Sequence, residues 1–232
     1  MEREKKVKLK DQQERTLSYY NENAIAFCEG TRNADMSETR GRFLQYLKQG
    51  DLILDAGCGS GRDSKFFMES GYRVVAMDGS EEMCRLASKH LGQEVQCRRF
   101  EDVDEKDRYD GIWACASLLH VPYEWLPKVI AKLVDALVDG GVLYASFKYG
   151  GDKMKEEREN EGRYFTDLTE DGWRKVLEEA EDEMKGRGSK RKLETVECFV
   201  TRDVREGRGG EKWLNVVGRK RKVKKIKYFN EY

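Results

Sequence analysis

Four short apolar runs, at residues 52–54, 74–77, 112–115 and 142–145, are continuous rather than alternating. Strands covered on both faces by helices read this way, and such strands form parallel sheets. Between them, residues 62–70, 80–90 and 124–138 carry helical patterns, the last with apolar pairs at 125/126, 129/130, 133/134 and 137/138, a stripe suited to packing on a sheet. Residues 95–99 alternate weakly, as an exposed edge strand would. After Gly150 the pattern changes: the charged stretch 152–163 offers no core face and is expected to be a mobile loop, with a short helix over 171–180 beyond it. Residues 186–190 read as a surface loop. Residues 195–202 and 212–217 flank the turn-rich Glu206-Gly207-Arg208-Gly209-Gly210 and predict an antiparallel hairpin closing the sheet. At the front, residues 12–28 and 36–48 predict helices that precede the first strand and could form a lid.

The 232 residues suit one elaborated α/β domain, and no internal repeat marks a second core. The organisation expected is a helical lid over 1–49, a ligand-binding domain over 50–218 and a basic tail over 219–232. Lys plus Arg, 44, balance Asp plus Glu, 44, which argues against a global attraction to nucleic acid. The balance hides a local run, since residues 219–227 hold seven cations in nine positions. Such a run is a solvated tail or the frayed end of a last strand, with nucleic-acid contact as the alternative. Residues 112–121, the longest nearly apolar stretch, are about half of what a bilayer-spanning helix needs. The first fifteen residues carry charges throughout and open no apolar signal region, so a cytoplasmic protein with no membrane partner is expected. Six widely spaced cysteines form no C-x-x-C pair and have only His90 and His120 as imidazole partners. Neither a disulfide framework nor a metal site is expected.

The most informative segment is residues 51–62, a buried strand running into a glycine-rich turn and then a helix. Such a turn lets a ligand approach bare backbone and meet the unpaired N–H groups of the helix N-terminus. Gly57, Gly59 and Gly61 give G-x-G-x-G followed by Arg62, whereas a dinucleotide fingerprint reads G-x-G-x-x-G. No Gly-Lys-Ser/Thr closes a Walker loop either.

Leu54-Asp55-Ala56-Gly57-Cys58-Gly59-Ser60-Gly61 resembles the first motif of the class I S-adenosylmethionine-dependent methyltransferases. The resemblance runs in order from Asp51 to Phe147: Asp78 at a strand end in VVAMDGS, the pair Glu101-Asp102, ACASLLHVP after the fourth strand, and Asp139-Gly140-Gly141 before the fifth. It implies a Rossmann-like seven-stranded sheet, order 3-2-1-4-5-7-6 with the last strand antiparallel, with S-adenosylmethionine as cofactor and S-adenosylhomocysteine as product. It also implies that Asp78, followed by Gly79, takes the ribose hydroxyls, and that Asp102 or Glu101, followed by Val103, takes the adenine amino group. Met83 would cover adenine, Asp55 would orient the glycine loop including Cys58, and Ala116, Ser117 and Leu118 would lie along the methionine portion. Arg62 could meet the cofactor carboxylate or point to solvent.

A sulfonium methyl is already activated, so transfer is an in-line displacement helped chiefly by holding the nucleophile close and aligned. A base is optional. His120, just past the fourth strand, could take a proton or could be a polar wall residue. On the lid, Tyr20 beside Tyr19 could close over the cofactor or simply pack. The only prolines are Pro122 and Pro127, so the Asn/Asp-Pro-Pro-aromatic motif of base and glutamine methylation is missing, as is a Pro-Cys nucleophile. The second half, with FKYG and GRYFTDLTEDGW, looks like the small-molecule branch that includes the tellurite-resistance type. A small-molecule acceptor is therefore expected, with RNA or protein reached through the basic run as the alternative.

Overall fold

The structure, a computed structural model, describes residues 2–150 and 158–223. Five strands come in the order the apolar runs predict: β1 (Leu52–Ala56), β2 (Arg73–Asp78), β3 (Gln96–Cys97), β4 (Tyr109–Ala114) and β5 (Leu137–Lys148). A small ribbon of β6 (Arg158–Asn160) and β7 (Arg163–Phe165) follows, then the long hairpin β8 (Arg191–Arg202) and β9 (Lys212–Lys222). The main sheet has the order β3-β2-β1-β4-β5-β9-β8. Neighbours from β3 to β5 are parallel, and β9 runs antiparallel to both β5 and β8. The seven main strands thus have the predicted class I methyltransferase arrangement.

Both faces of the central strands are covered, which explains their unbroken apolar runs. Along β4 and β5, Ile112, Ala114, Leu143, Ala145 and Phe147 face the side covered by α6 (Leu126–Ala136) and α7 (Glu170–Gly186), whereas Trp113, Val142 and Tyr144 face the other side. There α3 (Ser37–Leu44) and α4 (Arg62–Glu69) cover them, and the Trp113 and Tyr144 rings stack at 4.0 Å. The helix α5 (Glu81–Leu91) starts at Ser80, whose Oγ accepts from Met83 N at 3.2 Å, so the N-cap is Ser80 and the Asp78 carboxylate is left for other work.

Three expectations need correction. The front is three helices, α1 (Glu2–Glu22), α2 (Ala24–Arg32) and α3. The first break falls at Asn23, whose Nδ2 donates to the Tyr19 carbonyl and so competes for a helix-end acceptor. In the charged stretch, residues 151–157 lie outside the described residues, but from Arg158 onward it is the β6–β7 ribbon rather than a loop. Glu159 pairs in register with Tyr164, and Arg15 on α1 reaches Glu159 at 3.2 Å.

The third correction concerns the tail. Strand β9 continues to Lys222, with Arg219 opposite Val142 and Lys220 opposite Leu193, so the boundary expected at 218 cuts through a strand. Lys220 is buried, and its Nζ donates to Leu137 O at 2.5 Å, Asp107 Oδ1 at 2.8 Å and Asp135 O at 3.3 Å. These carbonyls lie at the C-terminal end of α6, where backbone acceptors lack helical partners. Residues 224–232, with the rest of the basic run, lie outside the described residues.

Candidate active site

The site forms where β1 and β2 end side by side. Both Gly57 N and Cys58 N donate to Met77 O, at 2.8 and 2.9 Å, which carries the chain across the end of β2. Gly57 has a φ of +81°, and a Cβ there would sit 2.4 Å from the Ser117 Cβ, so only glycine fits. Asp78 closes the turn from below: Oδ2 accepts from Gly59 N and Oδ1 from Ser80 N, both at 2.9 Å. Burial raises its pKa despite these N–H groups, with Gly79 N–H also opposing the rise. Two oxygens offer about four lone-pair positions, so room remains for further donors. Asp55, at the end of β1, is buried and accepts from Ser64 Oγ at 2.6 Å. Burial and the neighbouring Asp63 charge push its carboxyl up to about 7.

A cavity of about 1370 Å³ opens over this turn. Glu101 reaches it from a 3₁₀ turn at Phe100–Asp102. Its Oε1 accepts from Gln13 Nε2 on α1, while its Oε2 is buried with no partner among the described residues. A buried carboxylate oxygen without a donor is costly, and an exocyclic amino group would supply the donor. Asp78, a carboxylate with lone pairs to spare, Glu101, a carboxylate oxygen without a donor, and the apolar Met83 and Phe100 all line the cavity. Those residues fit the nucleoside of S-adenosylmethionine.

The strand β4 ends in a strained bend: Ala116 has a φ of +51°, its N–H donates to Ser146 Oγ at 2.8 Å, and Ser117 Oγ donates to Ala56 O at 2.7 Å. A non-glycine residue in this region costs energy and persists where its surroundings fix it. Arg62 is held by Asp63, with Nε–Oδ1 at 2.9 Å and Nη2–Oδ2 at 2.7 Å, and Nη1 donates to Thr31 O. Burial alone would lower its pKa, but the Asp63 pair drives it above its ordinary value, leaving a permanent cation on the cavity wall rather than one directed to solvent.

Also on the cavity wall, Tyr20 Oη and His120 Nε2 are 2.7 Å apart, and His120 Nδ1 lies 2.7 Å from Tyr164 O. A carbonyl can only accept, so Nδ1 carries the proton and Nε2 accepts from the Tyr20 hydroxyl. Burial lowers the His120 pKa to about 4 against the help of the Tyr164 bond, with Arg163 and Arg158 lowering it further. Burial likewise pushes Tyr20 up to about 12. The pair is phenol and neutral imidazole at neutral pH. Helix α1 spans the whole site, since Gln13 meets Glu101, Thr16 Oγ1 accepts from Tyr164 N and Asn21 Oδ1 accepts from Ser80 Oγ.

Residues 53–141 match the family described as methyltransferase domain. In sequence, the chain is 27% identical over 157 residues to an uncharacterized methyltransferase of Staphylococcus carnosus, covering 62% of this chain and 74% of that one. It is 32% identical over 136 residues to malonyl-[acyl-carrier protein] O-methyltransferase of Pectobacterium atrosepticum, spanning about half of each, 53% and 53%. The chain carries a methyltransferase domain on the fold of the class I S-adenosylmethionine-dependent methyltransferases. Among solved folds, this methyltransferase is similar to 1,6-didemethyltoxoflavin-N1-methyltransferase of Burkholderia thailandensis with bound S-adenosylhomocysteine, at a TM-score of 0.68 and 21% identity, covering 90% and 87% of the two chains. It is also similar to magnesium protoporphyrin IX methyltransferase of Synechocystis, at a TM-score of 0.66 and 17% identity, covering 90% and 99%.

Most residues singled out in the methyltransferase sequence line this cavity: Asp55, Gly57, Cys58, Gly59, Arg62, Asp78, Gly79, Met83, Glu101, Ala116, Ser117, Tyr20 and His120. Four do not. Gly61 caps α4 and lies against Leu91; Asp102 turns back to accept from Arg99 N; Val103 and Leu118 are buried in the core beneath the site. Of the two acidic candidates for the amino group, the cavity therefore favours Glu101. Sequence reasoning missed Gln13, Arg158, Arg163 and Phe165, which line the wall from α1 and the ribbon, because nothing in the local pattern of either segment marks these side chains as facing a ligand. Among the described residues no three His, Cys, Asp or Glu side chains converge as a metal site would, and no helix is long and apolar enough to cross a membrane.

Proposed function

We propose that this methyltransferase acts on a small-molecule acceptor enclosed between α1, the β6–β7 ribbon and the glycine turn. The observation that carries this reading is the closure of the cavity by α1, whose Tyr20, Thr16 and Gln13 contact His120, Tyr164 and Glu101 in turn. Asp78 and Glu101 hold the nucleoside, the Gly57–Gly59 backbone approaches the methionine portion, and Arg62 with Asp55 lines that end. When bound, the cofactor supplies a methyl group on sulfonium sulfur, ready for displacement by a nucleophile. Tyr20 and His120 orient the nucleophilic atom. An imidazole with a pKa of about 4 is a poor base at pH 7, so the dyad serves acceptors that arrive with an available lone pair or negative charge.

The alternative, RNA reached through the basic run, has less support. Four of the seven cations belong to β9: Arg219 lies over the Tyr46 ring, Lys220 is buried, Arg221 pairs with Glu194 and Lys222 with Asp139. Incubating the protein with methyl-labelled S-adenosylmethionine and separated cell fractions tests the choice. Label is expected in metabolites below about 1 kDa; label confined to RNA or protein would overturn the small-molecule reading.

A further inference from the structure

The β6–β7 ribbon brings two guanidiniums to the acceptor wall. In its register Arg158 stands opposite Phe165 and Asn160 opposite Arg163, so these four side chains share one face, and all four line the cavity. Phe165 is their hub, with the Arg158 and Arg163 guanidinium carbons 4.4 and 5.4 Å from its ring centre and the His120 ring 4.9 Å away. Arg163 also lies over the Tyr19 ring at 4.2 Å. Planar stacking of this kind fixes the direction of a guanidinium fork.

Their charges are unequally matched. Asp167 holds Arg158 through two bonds, at 2.8 and 2.9 Å. Among the described residues the carboxylate that Arg163 Nη2 meets is Glu161, at 2.8 Å, and it is 63% exposed and off the cavity wall. The Arg163 Nε–H is buried and has no acceptor among the described residues. An exposed ion pair contributes little and exchanges readily, whereas a buried donor without a partner is costly. Arg163, beside Tyr20 and His120, thus keeps a buried donor without an acceptor and an ion pair open to exchange.

We propose that the acceptor carries an anionic oxygen group, a carboxylate or a phosphate, bound by Arg163 while the rest of the molecule reaches the Tyr20–His120 pair. This rests on the small-molecule reading above and adds a chemical class to it. An acceptor of this kind is retained by its own charge in a site that provides no strong base, and the fork geometry of Arg163 suits two oxygens of one group.

The test titrates the full chain, first with S-adenosylhomocysteine and then, with that ligand saturating, with benzoate, phenyl phosphate and benzamide as probes. At least one anionic probe should bind at least tenfold tighter than benzamide, and which one does so separates carboxylate from phosphate. Arg163→Gln should remove that preference and Arg163→Lys should keep part of it, both with unchanged S-adenosylhomocysteine affinity. Equal binding of the three probes, absence of binding by both anions, or an anionic preference that survives in Arg163→Gln would overturn the proposal while leaving the cofactor site intact. Failure of S-adenosylhomocysteine itself to bind would instead bring down the underlying reading and this proposal with it.

Discussion

Replacing Asp78 by Asn tests the nucleoside site at its best-defined atom. The wild-type carboxylate already accepts from Gly59 N and Ser80 N at 2.9 Å each, and its remaining lone pairs are assigned to the ribose hydroxyls. The amide keeps one acceptor oxygen and presents N–H donors in place of the other. At the ligand, one charge-assisted bond is lost and another loses its charge, a loss of about 1.5 to 3 kcal/mol, or roughly tenfold to a hundredfold in affinity. In the free protein one of the two backbone N–H groups also loses its acceptor, which costs about 1 to 3 kcal/mol and lowers Tm by about 2 to 4 °C per kcal/mol for a chain of this size. Calorimetry with S-adenosylhomocysteine and with its 2′- and 3′-deoxy forms separates the two effects. If Asp78 bonds the hydroxyls, the penalty of the variant should be smaller for each deoxy ligand than for the natural one, because one of the two bonds it weakens is already gone. An equal penalty for natural and deoxy ligands would show that Asp78 acts only through the turn, and an unchanged dissociation constant in a folded variant would refute the assignment altogether.

Asp55, whose carboxyl moves from 3.8 to about 7 on burial, binds a proton in the folded chain that the unfolded chain has released, so its contribution to stability falls as pH rises from about 4 to 7. Asp55→Asn should therefore gain Tm relative to wild type across that window, and a constant difference between the two would count against the buried-carboxyl account. The chain ended at Val223 should keep its Tm and its S-adenosylhomocysteine affinity. Lys220→Met, by contrast, takes a donor from the Leu137 carbonyl and should cost about 1 to 3 kcal/mol in denaturant unfolding; wild-type stability in that variant would contradict the role of Lys220. Nitrogen NMR of His120 should report a neutral ring with the proton on Nδ1 between pH 5 and 8, and an imidazolium signal at pH 6 would exclude the phenol–imidazole arrangement.

The parallel core, the glycine turn and Asp78 were legible in the chain because each depends on neighbours a few residues away. A strand covered on both faces must be apolar throughout, and a tight turn from β1 into α4 shows as glycines at 57, 59 and 61, each with a positive φ. The pairing of Tyr20 with His120 joins residues 100 positions apart, so each alone remained open between a packing and a chemical role. The ribbon was concealed for a different reason: a two-stranded piece with Arg158, Asn160 and Arg163 on its inner face has no apolar alternation, and its shape comes from α1 and the segment after β4, with Thr16 accepting from Tyr164 N and Leu119 O from Thr166 N. Lys220 read as one more tail cation, since composition cannot tell a solvated ammonium from one that fills the carbonyl end of α6. Local backbone requirements and burial periodicity are written along the sequence, whereas the partner of a charge is decided only when the sheet brings distant segments together.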